Sequence, residues 1–212
     1  MPRILSHVGL RPLLFVLLLL AALAVHGTSY ATDAAAPKEG ILLVAFGTSV
    51  PEAQPAFKAV DAEFKKAFPG APVVWAYTSQ IIRKKLAAQG HPVGGISDGM
   101  AQLAKDGVKV VRVQSLHVLA GEEFTELERA VLLDVSKNPG RFEAVFMGRP
   151  MLESKPDAQE LLAAILADTK SQRGKNTALV LMGHGQSHGR ADLAFEGVRA
   201  VFTATDKNIH MA

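Results

Sequence analysis

The residue best placed to do chemistry is a histidine at the end of an apolar run. Met182-Gly-His184-Gly-Gln-Ser187-His188-Gly189 follows Thr177-Ala-Leu-Val-Leu-Met182, a run of buried-strand type. Ala194, Val198 and Phe202 then recur at helical spacing, with Phe195 beside them. His184 therefore stands where a strand gives way to a helix. In open α/β sheets, ligands bind outside the carboxyl ends of the strands. Glycine on both sides of His184 removes bulk and lets a flat ligand reach the imidazole. A neutral imidazole near pH 7 accepts a proton or holds a divalent ion. The simpler reading of the same residues is an exposed histidine in a glycine-rich turn.

Two other patterns overlap this stretch. His184 and His188 are four apart, as in helical zinc sites, but Gly185 and Gly189 disfavour a helix and the HExxH glutamate is absent. Gly185-Gln-Ser187-His-Gly189 matches the G-x-S-x-G elbow of serine hydrolases. That elbow needs its serine at the strand-to-helix turn, whereas the strand here ends three residues earlier. Asp192, Asp206 and His210 follow Ser187 as candidate triad partners. Ser187 thus defines an alternative function, a serine hydrolase.

Other candidates sit at the expected ends of earlier strands. Thr48 and Ser49 follow Gly47, and helix N-terminal N–H groups beside them suit carboxylates. His117 ends the third apolar run and precedes Gly121-Glu122-Glu123, so topology puts it on the same rim as Thr48. It reads equally as a histidine satisfied by backbone, with the two glutamates favouring a helix N-terminus. His91, His188 and His210 have weaker cases.

The elements that must position these residues follow from periodicity. Apolar runs at Ile41–Phe46, Pro72–Tyr77, Val108–Val113 and Phe142–Met147 read as buried strands. Between them lie helical stripes. Phe57, Val60, Phe64 and Phe68 form the first, with Ser49-x-x-Glu52 as its capping box. A short helix spans Ser79–Gln89, and Ser97 opens another that Gly107 closes. Phe124, Leu127, Val131 and Val135 mark the next, and Asp157–Asp168 the one after. Strands alternating with helices of this length predict βαβ units and a parallel sheet covered on both faces.

At Thr177 the pattern restarts. Gly47-Thr48 falls on Gly183-His184, 136 positions later, each after an apolar strand and before a polar turn and helix. The expected fold class is α/β, with two similar domains of parallel sheet flanked by helices. The expected division is an export signal at 1–31, a linker at 32–40, a first domain at 41–176 and the start of a second at 177–212. That second copy reads as incomplete, truncated at its C-terminus, with Asn208 to Ala212 opening a further strand.

Composition sets outer limits. The chain of 212 residues is 49% hydrophobic and 20% charged, an ordinary globular balance. It has no cysteine, which excludes disulfides, thiolate metal sites and a cysteine nucleophile. The formal charge of +3 is mild and its basic residues are scattered, so no nucleic-acid partner is expected. Arg3 and Arg11 precede and enter an apolar segment, Leu13–Val25, and Ser29-Tyr-Ala31 has the form of a cleavage site. Export follows, with a periplasmic domain and no stable membrane span after cleavage; an uncleaved N-terminal anchor is the alternative.

Four stretches together resemble a known family. They are Ile41-Leu-Leu-Val-Ala-Phe-Gly-Thr-Ser49, Ala76-Tyr-Thr-Ser-Gln-Ile-Ile-Arg83, Val113-Gln-Ser-Leu-His-Val118 with Gly121-Glu-Glu-Phe124, and Leu181-Met-Gly-His-Gly185. In this order they resemble the anaerobic, class II sirohydrochlorin cobaltochelatases of the CbiK type. The resemblance implies a tetrapyrrole cleft between two α/β domains and ATP-independent insertion of Co²⁺, or Fe²⁺, into sirohydrochlorin. It puts the family's metal ligand and proton acceptor at His184, and places the remaining glutamate and histidine beyond Ala212. Thr48, Ser49 and His117 are the expected substrate-binding residues, and self-association is left open. Some exported members are linked to haem. Where a haem-ligating histidine would fall, this chain reads Glu123-Phe-Thr-Glu126, which argues against haem. A non-catalytic periplasmic carrier of tetrapyrrole or metal is the third reading.

Overall fold

The computed structural model describes residues 36–183 and 191–212. The expected signal at 1–31 lies outside the described residues, as do His184, Ser187 and His188. Among the described residues, no helix is long and apolar enough to cross a membrane.

The apolar run after Lys38 becomes β1 (Glu39–Ala45), in which every residue from Gly40 onward is buried. It is flanked by β2 (Val73–Tyr77) and β3 (Val110–Ser115), and β3 by β4 (Ala144–Met147). All pairs are parallel, in the order β2-β1-β3-β4. Leu42, Leu43 and Val44 are completely buried, and each contributes roughly 1.5–3 kcal/mol relative to exposure. A strand this enclosed needs apolar side chains on both faces, which is why β1 shows no alternation.

The helices supply those two faces. They are α1 (Gln54–Ala67), α2 (Gln80–Ala88), α3 (Ile96–Lys105) and α4 (Glu122–Lys137). Leu42 and Val44 meet Met100 and Leu103 of α3 and Leu127 and Val131 of α4. On the other side Ala45 and Tyr77 pack with Phe57 of α1 and Leu86 of α2. The chain leaves β1 in one direction to form β2, then crosses back to form β3. The connections therefore diverge between β1 and β3, and a crevice opens at their carboxyl ends.

A second core forms around α5 (Lys155–Asp168), β5 (Leu179–Leu181), α6 (Ala191–Thr205) and β6 (Ile209–Met211). β5 and β6 are parallel, with Leu179 opposite Ile209 and Leu181 opposite Met211. Leu162 of α5 is buried with Val198, Phe202 and Ile209. Thus α5, which the sequence assigns to the first domain at 41–176, packs with residues 177–212. The change of core falls ahead of Lys155.

Three helix starts differ from the sequence reading, each for a local reason. Ser49 does not cap α1: a 3-10 turn, Pro51–Ala53, intervenes and has no side-chain cap. Pro51 opens that turn, and the Thr48 hydroxyl, ahead of it, accepts from the Val50 N–H at 3.1 Å. The helix expected from Ser97 begins at Ile96, where the Asp98 carboxylate accepts the Gly95 N–H at 2.8 Å. The helix expected from Asp157 begins two residues earlier because Ser154 and Asp157 form a reciprocal capping box.

Candidate functional site

A cavity of about 620 Å³ opens where strands of both cores end. Phe46 enters it from the β1 exit, Leu116 and His117 from the β3 exit, and Met182 and Gly183 from the β5 exit. Phe195 of α6 and Glu123, in the first turn of α4, complete the part of the wall that matters chemically. The volume lies in the range of small-molecule sites, and the lining is mostly apolar with few polar groups, as such sites require.

Two of these exits are built alike. After β1 come Phe46 and Gly47; after β5 come Met182 and Gly183. Gly47 has φ +96°, and a Cβ there would stand 2.5 Å from the Tyr77 ring. Only glycine accepts both that backbone and that neighbour without strain. At Gly183 a Cβ would run into the Phe195 ring. The Gly183 N–H donates to the Ala212 carbonyl at 2.6 Å, and the Ala212 N–H donates to Leu181 at 3.0 Å. The β5–β6 ladder therefore holds the chain up to the residue before His184.

His117 is the titratable ring that the described structure brings to the cavity. Its Nδ1 lies 2.9 Å from the Ser115 hydroxyl, which also accepts the His117 backbone N–H at 3.1 Å. Its Nε2 is buried and has no hydrogen-bond partner among the described residues. Burial pulls the imidazole below its usual range, while the Glu123 carboxylate pulls the other way. The ring is neutral near pH 7. The His117 carbonyl accepts from Met151 at 3.0 Å and that of Val118 from Leu152 at 2.8 Å, tying the β3 exit to the segment entering the second core.

The remaining sequence candidates are placed as follows. Thr48 and Ser49 are half-buried beside Phe46 on the β1 exit, but Phe46 is the residue that lines the cavity. The Thr48 carbonyl accepts from the Gln54 side chain at 3.3 Å, so both oxygens of Thr48 serve the turn. His91 and His210 are exposed. His184 and Ser187 lie outside the described residues. Among the described residues, no three His, Asp or Glu side chains cluster to hold a metal ion. The sequence reading missed Phe46, Met182 and Ser115. Strand-end position marks the first two; nothing in the sequence marks Ser115.

Comparison with known proteins settles the family. The model of the cobalt chelatase family CbiK matches residues 39–212. The chain belongs to the CbiK cobalt chelatase family. It is 32% identical over 174 residues to the sirohydrochlorin cobaltochelatase CbiKC of Nitratidesulfovibrio vulgaris, covering 82% of this chain and 61% of that one. It is 31% identical over 153 residues to the sirohydrochlorin cobaltochelatase of Salmonella typhimurium, covering 71% of this chain and 56% of the relative. The chain thus spans about three fifths of the length of these CbiK relatives. The fold is similar to that of the sirohydrochlorin chelatase SirB from Bacillus subtilis subspecies spizizenii in complex with cobalt. That match has a TM-score of 0.57 at 20% identity over 82% of this chain and 67% of the other. SirB from Bacillus subtilis with Fe3+ gives a TM-score of 0.56 at 20% identity, over 82% and 65%. These matches bear out the α/β class with a parallel sheet flanked by helices.

Proposed function

We propose that this protein is a metal chelatase that inserts Co²⁺ into sirohydrochlorin without ATP, with Fe²⁺ as the alternative metal. The observation that carries the reading is the cavity at the exits of β1, β3 and β5, in a chain whose curated relatives are named sirohydrochlorin cobaltochelatases. Its apolar walls suit a flat macrocycle, and the third exit leads into His184.

Insertion exchanges two pyrrole protons for one divalent ion, which must also shed water. His184 accepts a proton and binds the incoming metal through a neutral imidazole nitrogen. Cobalt takes imidazole and carboxylate ligands, so a chain without cysteine suits it. His117 belongs to the substrate-binding rim, and Thr48 and Ser49 shape the β1 exit beside it. The metal is substrate. Export by the N-terminal segment, with cleavage after Ala31, makes the enzyme periplasmic. The strand-glycine-helix pattern that opens at β1 starts again at β5, which the matching exits of the two strands support, with the second core taking in α5 as well.

The test is spectroscopic. Purified protein mixed with sirohydrochlorin and Co²⁺ is expected to shift the visible spectrum to that of the cobalt complex over many turnovers, faster than the mixture without protein. Binding of the macrocycle in stoichiometric amount without turnover would support the carrier reading instead. Labelling by an active-site serine probe that Ser187→Ala abolishes would favour the hydrolase.

A further inference from the structure

Two apolar side chains at the cavity are left half or more in the open by the fold. Phe46 is 49% exposed and Met182 87%, and both line the cavity. We propose that Phe46 and Met182 hold the tetrapyrrole by its flat ring and not by its carboxylate fringe, one side chain reaching it from the exit of β1 and the other from the exit of β5. The occupant rests on the chelatase reading; the choice of these two contact residues rests on this chain's geometry.

The backbone beneath each side chain is fixed. The carbonyls of Ala45 and Phe46 accept the N–H groups of Thr78 and Ser79 at 2.9 and 3.2 Å. On either side of Met182, the Leu181 carbonyl and the Gly183 N–H are both tied to Ala212. Two anchored strand ends thus present bare apolar side chains to one cavity. Exposed apolar residues scattered singly are ordinary on a protein surface. Val180 and Leu193, 62% and 80% exposed, are of that ordinary kind, because neither lines the cavity.

The charges of the wall decide which part of the ligand it can hold. Among the described residues that line the cavity there is no lysine or arginine, and Glu123 is an acid. A carboxylate fringe finds no cation on that wall. A conjugated ring finds a rigid phenyl group, which stacks on it in an offset geometry. It also finds a flexible, polarisable thioether, which makes favourable contacts with aromatic rings. Covering such a side chain removes apolar area from water and strengthens binding by about tenfold. Met182 is so open that its truncation costs the fold little, so the loss registers in binding.

The test is a titration of the full chain with two probes, sirohydrochlorin and uroporphyrin, a second conjugated macrocycle fringed with carboxylates, each at low and at high salt. Met182→Ala and Phe46→Ala are each expected to weaken binding by about tenfold, by the same factor at both salt concentrations. Met182→Leu, which keeps the apolar volume, is expected to stay close to wild type, as are Val180→Ala and Leu193→Ala. Phe46 buries half of its surface, so Phe46→Leu accompanies it as a milder change that loses the flat ring and is expected to weaken binding less. Affinity unchanged in both Met182→Ala and Phe46→Ala overturns the proposal. So does an equal loss in Val180→Ala and Leu193→Ala, or a loss that high salt removes. If the wild type binds uroporphyrin with this dependence but not sirohydrochlorin, the chelatase reading falls and the contact residues stand. If it binds sirohydrochlorin without this dependence, the contact residues fall and the chelatase reading stands. If it binds neither probe, both fall.

Discussion

The exits of β1 and β5 use one design for two ends. Each strand runs into an exposed apolar residue, Phe46 or Met182, and then into a glycine that gives way to an aromatic ring. The next residue differs. At β1 it is Thr48, whose hydroxyl and carbonyl are both taken up by the turn. At β5 it is His184. A short hydroxyl folds back and closes its own loop; in the proposed function the imidazole that follows the other glycine supplies a lone pair for proton or metal. Strand and glycine are common to the two exits, and the side chain after the glycine is the difference that the variants below test.

The largest effect that would break this comparison is at His184. His184→Ala is expected to lower Co²⁺ insertion by about 10²–10⁴-fold, the range for loss of a positioned acid–base group, with the midpoint of chemical denaturation unchanged. Next comes the glycine of the sealed exit. Gly47→Ala forces alanine to φ +96° against Tyr77, and a loss of about 1–3 kcal/mol is expected in urea unfolding. At the other exit Gly183→Ala drives the new methyl into Phe195. The expected outcome is weaker macrocycle binding that Phe195→Leu partly restores; equal defects with and without that second change would argue that the close packing is incidental.

Smaller effects sharpen the contrast. Thr48→Ala removes one turn hydrogen bond and should cost about 0.5–1.5 kcal/mol of stability, with insertion retained. For His117 the sign follows from burial. Its folded-state pKa lies below that of the unfolded chain, so the unfolded state binds more protons as pH falls from about 6.5. Stability therefore declines from there down through the lowered pKa. Stability curves of His117→Gln should decline less over that window, and parallel curves would contradict the burial of the ring.

Parts of this were legible in the sequence. Ile41 to Phe46 reads as a buried strand because an unbroken apolar run has no other use at that length, and Phe57, Val60 and Phe64 mark a helix face that does turn inward, half-buried. The side of the fold that a helix serves was not legible. The stripe Leu161, Leu162, Ile165 and Leu166 announces an apolar face, and only tertiary packing assigns it to β5 and β6. Capping choices at Thr48 and Gly95 depend on which N–H groups a proline or carboxylate has already settled. In the site, strand-end position pointed to His117. Ser115 stayed hidden, because a serine within a strand carries no signal until a ring is seen 2.9 Å from its oxygen.

The measurement that bears most directly on the account is the initial rate of Co²⁺ insertion into sirohydrochlorin for two variants side by side, His184→Ala and Thr48→Ala. The account predicts that the first falls to the rate of the protein-free mixture while the second stays close to wild type. Full activity in His184→Ala, or an equal loss in both, would contradict it.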